Sequence, residues 1–175
     1  MGREKNEQAV VVNRQERHIV ANHYLRPRIR LYLVSMAATK LLAFGEAAGC
    51  LLVCQAAATA RSDEWARYLE AVARYLKTNT KPRLLVLTAG GAPTPEQRRN
   101  IDLLLDPHRA RMKVAIVTDS TFARGVVKAI RLVYPFYQAF ARKELESALR
   151  FLDVRPADDV EVKRCAEELL AELSS

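Results

Sequence analysis

Pro82-Arg83-Leu84-Leu85-Val86-Leu87-Thr88-Ala89-Gly90-Gly91-Ala92-Pro93-Thr94-Pro95-Glu96-Gln97 is the stretch that decides the fold. The run Leu84–Leu87 is short, apolar and preceded by a proline, the pattern of a strand buried on both faces at the centre of a parallel sheet. A Gly-Gly-Ala-Pro loop follows. Thr94 is then placed to cap a helix, Pro95 suits its first position, and Gln97 sits where the reciprocal partner of a capping box belongs. A buried strand, a tight loop and a capped helix in direct succession make up a strand-to-helix crossover unit.

The same alternation continues downstream. Met112–Thr118 is a second buried strand. Asp119, Ser120 or Thr121 caps the helix after it, which places Phe122, Val126, Ile130 and Val133 on one stripe and stops before Pro135. Phe136–Phe140 reads as a last strand, and Lys143–Leu152 as a short helix with Leu145, Ala148, Leu149 and Leu152 turned inward.

Upstream, Leu31–Val34 is a candidate first strand, and Lys40–Phe44 with Cys50–Gln55 reads as a hairpin turning around Gly45 and Gly49. Ser62 or Asp63 opens a helix through Leu76, with Trp65, Leu69, Val72 and Leu76 on one face and Glu64, Arg67, Glu70, Arg74 and Lys77 on the outer one. Trp65 and Tyr68 are expected to pack in the core and at its boundary. After Pro156 comes an amphipathic helix, with Asp158 as N-cap, Glu161 completing a capping box, and Val162, Ala166, Leu169, Leu170 and Leu173 as its apolar stripe. It packs on its own domain or docks a second subunit.

The fold class is therefore α/β, a mixed central β-sheet with helical crossovers that are right-handed wherever they join parallel strands. Three parts follow: a basic N-terminal extension over 1–30, an α/β domain over 31–155, and the C-terminal amphipathic helix over 156–175.

Composition agrees with a folded protein: of 175 residues, half are hydrophobic and 27% charged. The longest apolar runs fall well short of the roughly 20 residues that span a bilayer. Met1–Val12 has no apolar leader, so no membrane span and a cytoplasmic location are expected. Cys50, Cys54 and Cys165 form no regular framework and read as buried thiols.

The net charge of +8 is uneven: residues 1–30 carry seven Lys/Arg against three Asp/Glu, and residues 151–175 carry three against seven. Arg14, Arg17, Arg26, Arg28 and Arg30 are the candidate contacts for a polyanion, which makes nucleic acid the alternative partner. A solvated basic face is the simpler reading.

No chemistry-bearing constellation stands out. Gly90-Gly91 before a helix can cradle a phosphate or simply allow a turn, and neither GxxxxGK[ST] nor GxGxxG occurs. Asp119-Ser120-Thr121 is a cap and turn sequence. His18, His23 and His108 supply neither a base for Ser120 nor ligand spacing for a metal. No cofactor, metal or catalytic residue is expected.

From Lys40 to Leu152 the chain resembles the STAS domains, the module of anti-sigma-factor antagonists and of the cytoplasmic tails of sulfate transporters. The resemblance rests on Leu51-Leu52-Val53-Cys54-Gln55 through Leu76, the strand Leu84–Thr88, Val114-Ala115-Ile116-Val117 with its helix, and the closing Phe140-Ala141-Arg142-Lys143-Glu144-Leu145 through Leu152. It implies a non-enzymatic regulatory or protein-interaction module acting through a protein partner, with a homo-oligomer expected to form through the N-terminal extension and the last helix. The family's phosphorylated hydroxyl lies at the helix start after the central strand, where this chain has Thr94 without the Asp-Ser-Ser-Gly-like motif. Thr88, Gly90, Gly91, Thr94, Ser120, Thr121 and Arg124 are the candidate partner- or ligand-binding residues. Related mixed-sheet folds can hold lipids, which makes an apolar or phosphorylated small ligand between helices and sheet a third reading.

Overall fold

Leu42–Ala47 (β2) and Cys50–Gln55 (β3) pair antiparallel, with Ala47 opposite Cys50. The two residues left between them, Ala48 and Gly49, have φ of 49° and 68°. Positive φ at both positions is what a tight hairpin needs to follow the strand twist. Ala48 pays for that conformation, and its amide is held by the Glu161 carboxylate at 3.2 Å. Gly45, expected in the turn, lies inside β2 opposite Leu52, because the buried pairing runs on through Ala47.

The structure is a computed structural model describing residues 30–31, 39–132 and 134–174. Arg30–Leu31 (β1) forms a two-residue edge pairing with β2, and the rest of the expected Leu31–Val34 strand lies outside the described residues. From β3 the chain runs through Ser62–Thr78 (α1), Arg83–Thr88 (β4), Pro95–Leu105 (α2), Lys113–Val117 (β5), Thr121–Arg131 (α3) and Tyr137–Phe140 (β6). Strands β3, β4, β5 and β6 are neighbours in that order and parallel. The mixed sheet with helical crossovers is thus present.

Strands added in sequence on one side, with crossovers of one hand, put the intervening helices on one face. On that face α1 and α2 bury Trp65, Tyr68, Val72, Tyr75, Ile101 and Leu105 against the sheet, while α3 lies against β6. The opposite face is covered by Leu145–Phe151 (α4) and Asp159–Leu173 (α5). There Leu149, Val162, Cys165 and Leu169 close over Leu52, Leu85 and Val117. The last helix therefore packs on its own domain.

Several expectations needed correction. Glu64 is not on an outer face: it is 3% exposed, because it is the third residue of α1 and its carboxylate accepts from the amides of Arg61 (3.1 Å) and Leu41 (2.9 Å). The capping box at Thr94 and Gln97 is observed, but that at Asp158 and Glu161 is not. Asp158 is drawn instead to Arg155 at 2.7 Å, and Glu161 to the hairpin turn. In α3 it is Val127 that is buried, whereas Val126 is exposed; the side chains of Phe122, Ile130 and Val133 lie outside the described residues. The three cysteines are buried free thiols, as expected. Burial pushes Cys50 and Cys54 up to about 12, against the pull of Arg83 on the first and of Arg142 on the second.

Candidate functional site

The two faces of the sheet are not covered equally. Leu85, Leu87, Ala115 and Val117, pointing toward α4 and α5, are all 4% exposed or less. Their neighbours Val86 and Ile116, at the middle of the same strands but on the crossover side, are only half-buried. Helix α1 packs with α2, and α3 stands over β6, so among the described residues the floor between them is only partly covered. The result is a cavity of about 530 Å³, with Val86 and Ile116 on its floor.

At the carboxyl ends of the strands its wall is formed by Gln55, Trp65, Thr88, Gly90, Gly91 and Ser120. This is the end of a parallel sheet where ligands are generally received. Two buried groups of these residues have no hydrogen-bond partner among the described residues: the Gln55 carboxamide nitrogen and the Trp65 indole nitrogen. Their residues are 6% and 7% exposed. An unmet buried donor costs about 1–3 kcal/mol, and both nitrogens are closed off with essentially no accessible surface.

Down the cavity, α2 contributes Arg98, Ile101, Asp102 and Leu105, and β6 contributes Tyr137. Burial raises the Tyr137 phenol, with Asp102 adding to the shift and Arg98 opposing it. Burial also raises the Asp102 carboxyl against Arg98. The cavity thus has polar residues at its upper end, an apolar floor and Tyr137 at its lower end.

Of the predicted residues, Thr88, Gly90, Gly91 and Ser120 converge on this wall. The Thr88 hydroxyl accepts from the Gly90 amide and donates to the Gly91 carbonyl, both at 3.0 Å. Gly90 has φ of 118°, and a Cβ at Gly91 would lie 2.3 Å from the Ala56 carbonyl. These glycines make a tight loop pressed onto the next one, with the Gly90 amide already engaged by Thr88. A matching turn follows β5, where the Ser120 amide donates to the buried Thr118 hydroxyl at 3.2 Å.

Thr94, Thr121 and Arg124 do not line the cavity. The Thr94 hydroxyl caps α2 through the Gln97 amide, Thr121 begins α3 on the surface, and Arg124 donates to the Thr118 carbonyl at 2.9 Å. Arg14, Arg17, Arg26 and Arg28 lie outside the described residues, and Arg30 belongs to β1. Sequence reasoning missed Gln55, Arg98 and Tyr137 and assigned Trp65 and Tyr68 to packing alone. One signal was present: an amide closing the otherwise apolar strand Cys50–Cys54.

The imidazole of His108 follows α2, at the end of the sheet opposite Thr88 and Ser120. Among the described residues no cluster of His, Cys, Asp or Glu is arranged to hold a metal ion, and no helix is long and apolar enough to cross a membrane.

The cavity is partly open to solvent, and its volume and apolar floor lie in the range of small-molecule sites. Comparison with protein-family models, with curated proteins and with solved structures finds no match to this chain.

Proposed function

We propose that this protein is a cytosolic, non-enzymatic regulatory module of STAS-like fold, in which a small molecule held between the sheet and α1–α3 controls how the strand-end loops meet a protein partner. The observation that carries this reading is the cavity of about 530 Å³ over the apolar floor of Val86 and Ile116, walled at the strand ends by residues of the loops themselves. Thr88, Gly90, Gly91 and Ser120 belong both to that wall and to the loops at the surface, so occupancy would be felt at residues 88–94 and 120–124. Differential contact between a filled and an empty state is the physical requirement for such control.

The experiment is nondenaturing mass spectrometry of the protein purified from its source cells, followed by partner capture before and after ligand extraction. A noncovalent adduct whose removal changes recovery of a nuclease-resistant protein partner supports the reading. A chain without adduct whose recovered partner is nucleic acid would overturn it. So would turnover of a defined substrate.

A further inference from the structure

We infer that the outer face of α3 and the turn after it form a contact surface for an anionic bilayer, with Leu132 entering the headgroup layer beside Lys128 and Arg131. This goes beyond the reading above and is independent of what the cavity holds.

The sequence supplies charge of one sign. From Ser120 to Lys143 the chain carries Arg124, Lys128, Arg131, Arg142 and Lys143 and no Asp or Glu. Arg124 is turned to the Thr118 carbonyl and Arg142 to Asp119, while Lys128 and Arg131 are exposed. Because α3 leads from the end of β5 back to the start of β6, these two stand toward the end of the sheet where its parallel strands begin. Lys81 and Arg111 are exposed there too, two residues before β4 and β5. Asp106 and Asp153 at this end are themselves paired, with Arg109 at 3.0 Å and Lys113 at 2.7 Å. The remaining field is positive, as a protein drawn to an anionic membrane surface requires.

An apolar element accompanies the charge. Leu132 is 88% exposed, more than any other large hydrophobic side chain among the described residues. Its amide bonds the Ala129 carbonyl at 3.2 Å, so it continues the face of α3 on which Gly125, Lys128 and Ala129 recur at three and four residue steps, all exposed. A Cβ at Gly125 would meet nothing within 4 Å. Beyond Leu132, Tyr134 is exposed beside Phe136 and Tyr137, its ring centroid 5.8 Å and 6.4 Å from theirs. Leucine beside Lys and Arg on an amphipathic helix, with a tyrosine at the boundary, is the composition that settles in a membrane interface. A nucleic acid would use the cations but gain nothing from Leu132. A protein partner's anchor would be a large side chain seated in a pocket, whereas this leucine stands out on a turn among small residues.

The full-length protein is mixed with vesicles of phosphatidylcholine alone and with vesicles containing about one-third phosphatidylglycerol, and binding is read by flotation. Binding to the anionic vesicles only is expected. Each cation near such a surface contributes about fivefold in affinity, so Lys128→Gln with Arg131→Gln should weaken binding about thirtyfold. Leu132→Ser leaves the charge unchanged and should weaken it about tenfold through lost apolar insertion. Leu132→Trp should bind as wild type does and shift its emission to the blue on vesicles, with wild type, whose single Trp65 is buried, as the baseline. Equal binding to both kinds of vesicle overturns the surface. So does loss of binding in an Arg26→Gln, Arg28→Gln variant but not in the α3 variant, or an unshifted Leu132→Trp emission on bound vesicles. Tighter binding to duplex DNA than to vesicles, with Leu132→Ser unaffected, would assign the face to a polyanion and refute the bilayer.

Discussion

Val86 and Val117 occupy adjacent parallel strands and point to opposite faces of the sheet, so the same substitution at each measures whether space exists over one face and not the other. Val117 is 1% exposed beneath α4 and α5. A phenyl ring there has to displace packed neighbours, and overpacking of that kind costs about 1–3 kcal/mol. Val86 stands on the cavity floor. A phenyl ring there covers on the order of 50 Å² of apolar surface, worth about 1.3 kcal/mol at ~25 cal/mol per Å², and ordering the longer side chain takes back roughly half. Val86→Phe should therefore be neutral to about 1 kcal/mol stabilising. The two variants should differ by about 1–4 kcal/mol, which for a urea m-value of about 2 kcal/mol/M is a midpoint separation of about 0.5–2 M. Equilibrium urea unfolding followed by Trp65 fluorescence and far-ultraviolet circular dichroism reads it. Equal destabilisation at both positions would refute the uneven covering of the sheet, and with it the site.

Three further outcomes follow from groups outside the cavity. The Tyr75 hydroxyl accepts from the Arg83 amide at 2.8 Å and lies 3.0 Å from the carbonyls of Gly49 and Arg83; Tyr75→Phe keeps the ring and orphans that amide, so about 1–3 kcal/mol should be lost in urea unfolding, and an unchanged midpoint would count against the bond. Glu64→Gln keeps the shape but leaves one of two amide donors facing an NH₂ group and removes the charge opposite Arg61, for a loss of about 2–4 kcal/mol; a change below about 0.5 kcal/mol would show that the carboxylate is not what joins Leu41 to the start of α1. Cys50 and Cys54 are raised from 9.0 to about 12 in the fold. The unfolded chain therefore releases their protons first, and the stability they contribute, fully present below pH 9, is lost as pH rises toward 12. The slope should be about 1.4 kcal/mol per pH unit for each thiol. Alkaline unfolding that is no steeper in wild type than in a Cys50→Ala, Cys54→Ala variant would contradict it.

The legible parts of this chain are those where local chemistry and tertiary packing agree. Thr94-Pro95-Glu96-Gln97 specifies its helix start through bonds made within the same four residues, so the reading and the structure coincide. Asp158 carries the same local signal, yet Arg155 three residues earlier offers its carboxylate an ion pair at 2.7 Å, and the cap is not made. Glu64 shows the converse: a charge on an otherwise polar face is buried because an amide 23 residues away needs an acceptor. Periodicity finds which side of a helix is apolar. It does not count the partners that each side chain will meet.

The site was half legible for the same reason. Loop residues such as Thr88 and Gly90 announce themselves through turn chemistry and do gather at one end of the sheet. The cavity, by contrast, consists of contacts that are not made, and Val86 and Ile116 look in sequence like Leu85 and Val117, their fully covered neighbours. What separates them is the seating of α2 with α1 and of α3 on β6, a property of the assembled layer. A chain selected only for stability would close that gap with larger side chains, since a void is costly and filling it is easy. Here the gap runs over Val86 and Ile116 to the loops that carry Thr88, Gly90, Gly91 and Ser120, so filling it and shaping those loops fall to the same residues.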